Sequence, residues 1–195
     1  MLDSLEIKNY RNLKEFQINS LGRINLITGK NNTGKSTILE AIALYATKGD
    51  LNLIYQLLAE RGENFRQTVS NKNFVEFNIK ALSSMFSNRI VGFERENSIS
   101  IGSIEDTLFG KEISSQNSIS LRFVKYLDEI QKDNQGAVTT RKRTILEGNN
   151  DKQILNFKVG LEIGTANNYY IMPLDEDRPF RFGFRGLGNN QSFQF

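Results

Sequence analysis

The chain has 195 residues, enough for one domain with a sizeable core, and 38% hydrophobic against 24% charged residues places it among globular rather than disordered chains. Its net charge of +3, from 25 basic and 22 acidic residues, is too small to argue for nucleic acid by itself. There is no cysteine and no histidine, which excludes disulfides, thiolate metal sites, cysteine nucleophiles and the commonest general base. The N-terminus MLDSLEIKNYRN lacks the apolar centre of a signal peptide, and no apolar run approaches the ~20 residues needed to cross a bilayer, so a cytoplasmic protein with no membrane partner is expected.

In chain order, the alternation of Leu5 and Ile7, then of Leu13, Phe16 and Ile18, predicts two strands joined across Asn9 to Asn12. The next segment, GRINLIT, places Ile24, Leu26 and Ile27 in a short apolar run between Gly22 and Gly29, the texture of a buried parallel strand. It leads into GKNNTGKST, Gly29 to Thr37, which fits G-x-x-x-x-G-K-[ST] without a gap. TILEAIALYA follows, with Ile38, Leu39, Ala41, Ile42, Ala43 and Leu44 spaced for a mostly buried helix.

Strand, glycine loop and helix in that order are what a nucleotide-binding P-loop, or Walker A motif, requires. Backbone N–H groups of Asn31, Asn32, Thr33 and their neighbours wrap the phosphates, and the helix points its positive end at them. Gly29 and Gly34 allow backbone conformations and close approach that a side chain would block. Lys35 suits the β and γ phosphates, Ser36 a magnesium ion bridging them, and Thr37 the α phosphate. ATP and Mg2+ are therefore the expected ligands. The bland alternative, a glycine-rich turn capping a helix, does not account for the lysine and two hydroxyl residues in sequence.

The flanks narrow the class. The phrase Ile7, Asn9, Tyr10, Arg11, some twenty residues ahead of the loop, is similar to the "I-x-N-[FY]-[RK]" that opens the ATPase heads of RecF, the structural-maintenance-of-chromosomes proteins and the OLD-like ATPases. GKNNTGKST and ILEAIALY resemble the loop and helix of that group, so the resemblance covers residues 1 to about 46. A weaker likeness to the OLD-like branch follows in ALSSMFSNRIVGFERENSISIGS. The resemblance implies an α/β P-loop NTPase core, the first lobe of an ABC-type head, with Arg11 close to the nucleotide as an alternative to a surface arginine on an edge turn. It also implies head-to-head dimerisation around ATP, switching an attached effector or partner protein, often one acting on DNA.

Beyond the loop helix, DLNLIYQLLAERG predicts a helix capped by Asp50, and NFVEFNIKALSSMF a second. From about Asn97, short runs separated by DNQG, GNND and GTANN predict an antiparallel meander. The expected organisation is one domain: residues 1–48 with strands, Walker A and helix, 49–96 as a helical insertion, and 97–195 as antiparallel strands.

Several parts of an ABC-type site are missing from this pattern. No LSGG-like signature occurs, there is no switch histidine, and the only string like a Walker B strand is YYIMPLDED. Asp175 and Glu176 would be its acidic pair, but Pro173 inside the would-be central strand and the lack of a signature favour an exposed turn. Gln191 or Gln194 is a weak candidate for the glutamine that links two lobes. The ending NNQSFQF resembles an interruption rather than a closing tail, so the sequence is expected to be the N-terminal portion of a longer ATPase with little turnover alone. RGLGNNQ fails the dinucleotide fingerprint. Arg141, Lys142 and Arg143, with Arg122 and Lys125, would suit a phosphate backbone or, more simply, a solvated strand face. Two other functions stay open: a non-catalytic nucleotide-binding interaction module, and a stand-alone kinase or GTPase, although no N-K-x-D occurs to read guanine.

Overall fold

A computed structural model describes residues 2–63, 74–107, 110–132, 138–147, 156–165 and 168–175. β1 (Leu5–Tyr10) and β2 (Leu13–Ile18) form a hairpin with a two-residue turn, followed by α1 (Lys35–Ala46), α2 (Leu51–Ala59) and α3 (Phe74–Ser83). Among the described residues five more strands follow: β3 (Ile99–Thr107), β4 (Gly110–Lys132), β5 (Val138–Ile145), β6 (Lys158–Thr165) and β7 (Tyr169–Pro173). The strands make one sheet in the order β2-β1-β3-β4-β6-β7, with β5 on β4. Every pairing is antiparallel.

β4 organises this sheet because it is long enough to take three partners. Its first half pairs with β3, its middle with β6, and its end with β5; Tyr126 faces both Ile145 and Lys158, so β5 continues the edge that β3 vacates. Period-two alternation then divides the strands by face. Leu5, Ile7, Ile101, Ile119, Leu121, Phe123, Leu161 and Ile163 pack in one core with Ile38, Ala41 and Leu44 of α1, Ile54, Leu57 and Leu58 of α2, and Leu82 of α3. Val124, Tyr126 and Ile171 form a small separate cluster on the other face.

The two predicted helices after the loop helix are present, and their junction has a clear local cause. α1 ends in a Schellman motif, Gly49 N–H to Leu44 O at 2.8 Å and Lys48 N–H to Tyr45 O at 3.1 Å. Asp50 follows at once as the cap of α2, its carboxylate accepting from Leu53 N–H at 3.1 Å. The chain therefore reverses over a few residues and lays α2 beside α1. α3 is tied to the far edge by Asn78, which is buried and donates to Leu174 O at 3.0 Å.

One expectation is overturned. Residues 22–28 form no strand, and Ile24 and Leu26 are 92% and 87% exposed. An apolar run becomes a buried strand only when a neighbour supplies both ladder bonds and a covering layer. Here β2 is the sheet edge, and the chain leaves it through Leu21 N–H to Asp3 O at 2.8 Å and a turn closed by Asn25 on Gly22 at 2.8 and 2.9 Å. No described strand lies parallel to the run. What the structure shows among the described residues is an antiparallel sheet with three α-helices.

Candidate phosphate-binding loop

The loop is fixed at both ends by backbone conformation. Gly29 and Gly34 have φ of 151° and 97°, where a side chain would be strained, and Asn32 joins them at 63°. A Cβ on Gly34 would stand 3.0 Å from the Asn12 carboxamide nitrogen and 3.4 Å from Leu13, so the β1–β2 turn presses directly on the start of α1. Thr33 closes the loop internally, its hydroxyl donating to Lys30 O at 2.9 Å.

Electrostatically, this end of α1 is unneutralised. Gly34 is the N-cap and offers no side chain to the first N–H groups, and the first turn carries no acidic residue. Orphan helical N–H groups with a positive dipole end and no carboxylate nearby are what an anion needs. The ammonium of Lys35 lies across the loop, donating to Gly29 O at 2.8 Å and Lys30 O at 2.6 Å. Asn31, Asn32, Thr33 and Ser36 are exposed around it, whereas Thr37 is buried as α1 enters the core. A pocket of about 500 Å³ opens beside the loop, its lining including Gly29, Thr33 and Lys35 together with apolar Phe16, Leu26 and Ile27.

Arg11 is buried against α1 and the end of α2. Its guanidinium is 6% exposed and pairs with Glu40 of α1 at 2.8 Å, while donating to Tyr10 Oη at 3.2 Å and Leu57 O at 3.3 Å. Glu40 also takes Arg61 at 2.6 Å, so one carboxylate joins the β1–β2 turn, α1 and the end of α2. Burial outweighs the nearby arginine for Tyr10 and raises its hydroxyl pKa well above the usual range. Glu40 and Arg61 escaped sequence reasoning because nothing in ILEAIALY singles out Glu40 and Arg61 lies in no motif; only the fold brings Arg11 and Arg61 to the same carboxylate.

Asp175 lies elsewhere, after β7 at the opposite edge of the sheet from β2, paired with Lys158 at 3.1 Å. Pro173 ends β7 on that edge, where a missing N–H costs little. Glu176, Gln191 and Gln194 lie outside the described residues, as do the DNQG and GNND turns and RPFRFGF. No cluster of three or more acidic side chains able to hold a metal is present among the described residues.

Most of the described basic residues of the second half are engaged. Arg122, 7% exposed, pairs with Glu162 and, at 3.1 Å, with Glu147, which also takes Arg95 at 2.6 Å. Arg141 holds Asp128 through bonds of 2.8 and 2.5 Å, and Lys125 sits 5.1 and 5.0 Å from the ring centres of Phe93 and Phe157. Lys142 is exposed.

The glycine loop opens an uncapped helix and a lysine folds over it, an arrangement that leaves the first N–H groups of α1 open to an anion. Comparison with known families agrees: residues 1–170 match the AAA ATPase domain, and the chain belongs to that family as a RecF-like ATPase head. An uncharacterised protein of Methanocaldococcus jannaschii is 36% identical over 98 residues, 45% of each chain. The DNA replication and repair protein RecF of Clostridioides difficile is 33% identical over 81 residues, 42% of this chain and 18% of RecF. An ATP/GTP phosphatase of Helicobacter pylori is 48% identical over 42 residues, 22% of this chain and 11% of that protein. The matched segments thus span less than half the length of these curated relatives. No solved structure gives a significant match. Among the described residues, no helix is long and apolar enough to cross a membrane.

Proposed function

We propose that this chain is the ATP-binding first lobe of an OLD-like or RecF-like ABC-type head, in which nucleotide-driven head-to-head dimerisation controls an effector, with DNA as the favoured ultimate target. The observation that carries the nucleotide reading is the start of α1: Gly34 caps it without a side chain, and the Lys35 ammonium lies across the loop, held by carbonyls it can exchange for phosphate oxygens. On binding, the N–H groups of the loop and of the first turn take the phosphates, and Lys35 leaves Gly29 O and Lys30 O to neutralise them. Ser36, exposed on the first turn, would hold magnesium, which supplies charge neutralisation between phosphates. The dimer and effector rest on the family resemblance, and DNA also on the relatives named as DNA replication and repair proteins RecF.

Hydrolysis by this segment alone is expected to be slow, because Asp175 is paired with Lys158 at the edge away from β2. Titration of the protein with ATP and magnesium by calorimetry, alongside Lys35→Ala, tests the proposal. Binding that falls at least a hundredfold in the variant supports it; equal affinity in both sinks it. Light scattering on the same samples then shows whether ATP drives dimer formation.

A further inference from the structure

The approach to the β1–β2 turn is built at a cost. Asn9, near the end of β1, has φ 57° and Arg11, in the turn itself, φ 52°; asparagine tolerates this left-handed conformation, whereas arginine is disfavoured in it. A two-residue hairpin loop that needs positive φ ordinarily recruits glycine, asparagine or aspartate, so Arg11 stands where its backbone is least suited. The surroundings hold it there. Arg11 N–H donates to Met85 O at 2.8 Å, and its guanidinium is locked by Glu40. Asn9 donates to Glu96 O and Ser98 O at 3.0 and 3.1 Å, and Tyr10 bridges to Phe86.

Asn9, Tyr10 and Arg11 are thus each bonded into the body of the domain, while Asn12 is exposed. Its carboxamide makes no hydrogen bond to a described residue, and lies 3.0 Å (Nδ2) and 3.6 Å (Oδ1) from where a Cβ on Gly34 would stand. Asparagine in a tight turn commonly bonds its own backbone; this one is turned to the phosphate loop instead. The strained, heavily anchored turn has one evident product, a neutral donor held beside the N-cap of α1.

We infer that Asn12 is a ligand of the nucleotide's phosphate chain, presented to the glycine loop by the β1–β2 turn. The inference rests on the loop being a nucleotide site. A carboxamide suits the position because Nδ2–H donates to a phosphate oxygen without adding charge, whereas a carboxylate there would repel it.

Calorimetric titration with ATP and magnesium of the unsubstituted protein, Asn12→Ala, Asn12→Asp and Lys35→Ala tests it, with thermal melts of each without nucleotide. Asn12→Ala should weaken ATP binding roughly tenfold, the loss expected for one hydrogen bond to a charged group, with an unchanged melting temperature. Asn12→Asp should weaken it further, and the additional loss should shrink as salt screens the carboxylate from the phosphates. If Lys35→Ala fails to bind but both Asn12 variants match the unsubstituted protein, Asn12 is a turn residue only and the inference is overturned while the nucleotide site stands. A lowered melting temperature with unchanged affinity overturns it equally. If the unsubstituted protein takes no ATP, the nucleotide reading fails and the inference with it.

Discussion

The sheet and the segment from Gly22 to Thr37 handle their polar and apolar groups in opposite ways. In the sheet, apolar residues face three helices on one side, and on the other the charges are cross-braced, with Asp128 contacted by Arg141, Arg143 and Lys158. Around the loop, apolar side chains stand in water, the helix start is uncapped, and a lysine rests on carbonyls. The contrast teaches where recognition resides. Among the described residues, Arg122, Arg141 and Lys158 already have carboxylate partners and so carry little attraction for an outside phosphate, whereas the first turn of α1 has no acidic residue to compete with one.

The difference is open to experiment, beginning with the largest effect. Phe123 is fully buried and its ring stacks on Phe86 at 4.9 Å between centres, so Phe123→Ala should cost about 3–5 kcal/mol in urea unfolding. A cost below 1 kcal/mol would deny that the sheet is the stabilising half. Asp128 is next. Its side chain is 3% exposed, but its partners reach solvent, so Asp128→Asn should cost about 2 kcal/mol after allowance for screening.

Asp128 also predicts a pH dependence. The hydrogen bonds from Arg141, offset in part by burial and helped by the charges of Arg141 and Arg143, hold its pKa below the ordinary carboxylate value. A depressed folded-state pKa means that its stabilisation is complete above the unfolded value of ~3.9 and is lost as pH falls through the folded value. Acid unfolding below about pH 4 should therefore flatten in Asp128→Asn relative to the unsubstituted protein.

Gly34→Ala sharpens the other side of the comparison. At φ 97° and with Asn12 in the way, alanine should cost about 1–2 kcal/mol in stability yet remove most ATP binding, a split visible by pairing melts with calorimetry. The smallest effect is expected at Leu26. Because it is 87% exposed, Leu26→Ser should change the stability of this protein by no more than ~0.5 kcal/mol. A cost of several kcal/mol would restore the buried strand that the sequence suggests.

Local signals were legible. Alternation gave the β1–β2 hairpin, Asp50 marked the start of α2, and the glycine spacing with Lys35 and Ser36 located the loop, because each depends on neighbours a few residues apart. The antiparallel texture of the second half was readable for the same reason, although the 23-residue reach of β4 and its three partners were not.

Long-range facts belonged to tertiary structure alone. Whether Ile24 and Leu26 are buried depends on what lies beside them, and an apolar run carries the same signal either way. Arg11 and Glu40 meet across 29 positions of sequence, a pairing no motif encodes, and the pressing of Asn12 on Gly34 arises only once the hairpin folds over α1. The sequence by itself determined where the candidate phosphate loop lies, since its residues are consecutive. Only the fold decided which charges remain for a ligand, because neutralisation depends on distance in space rather than along the chain.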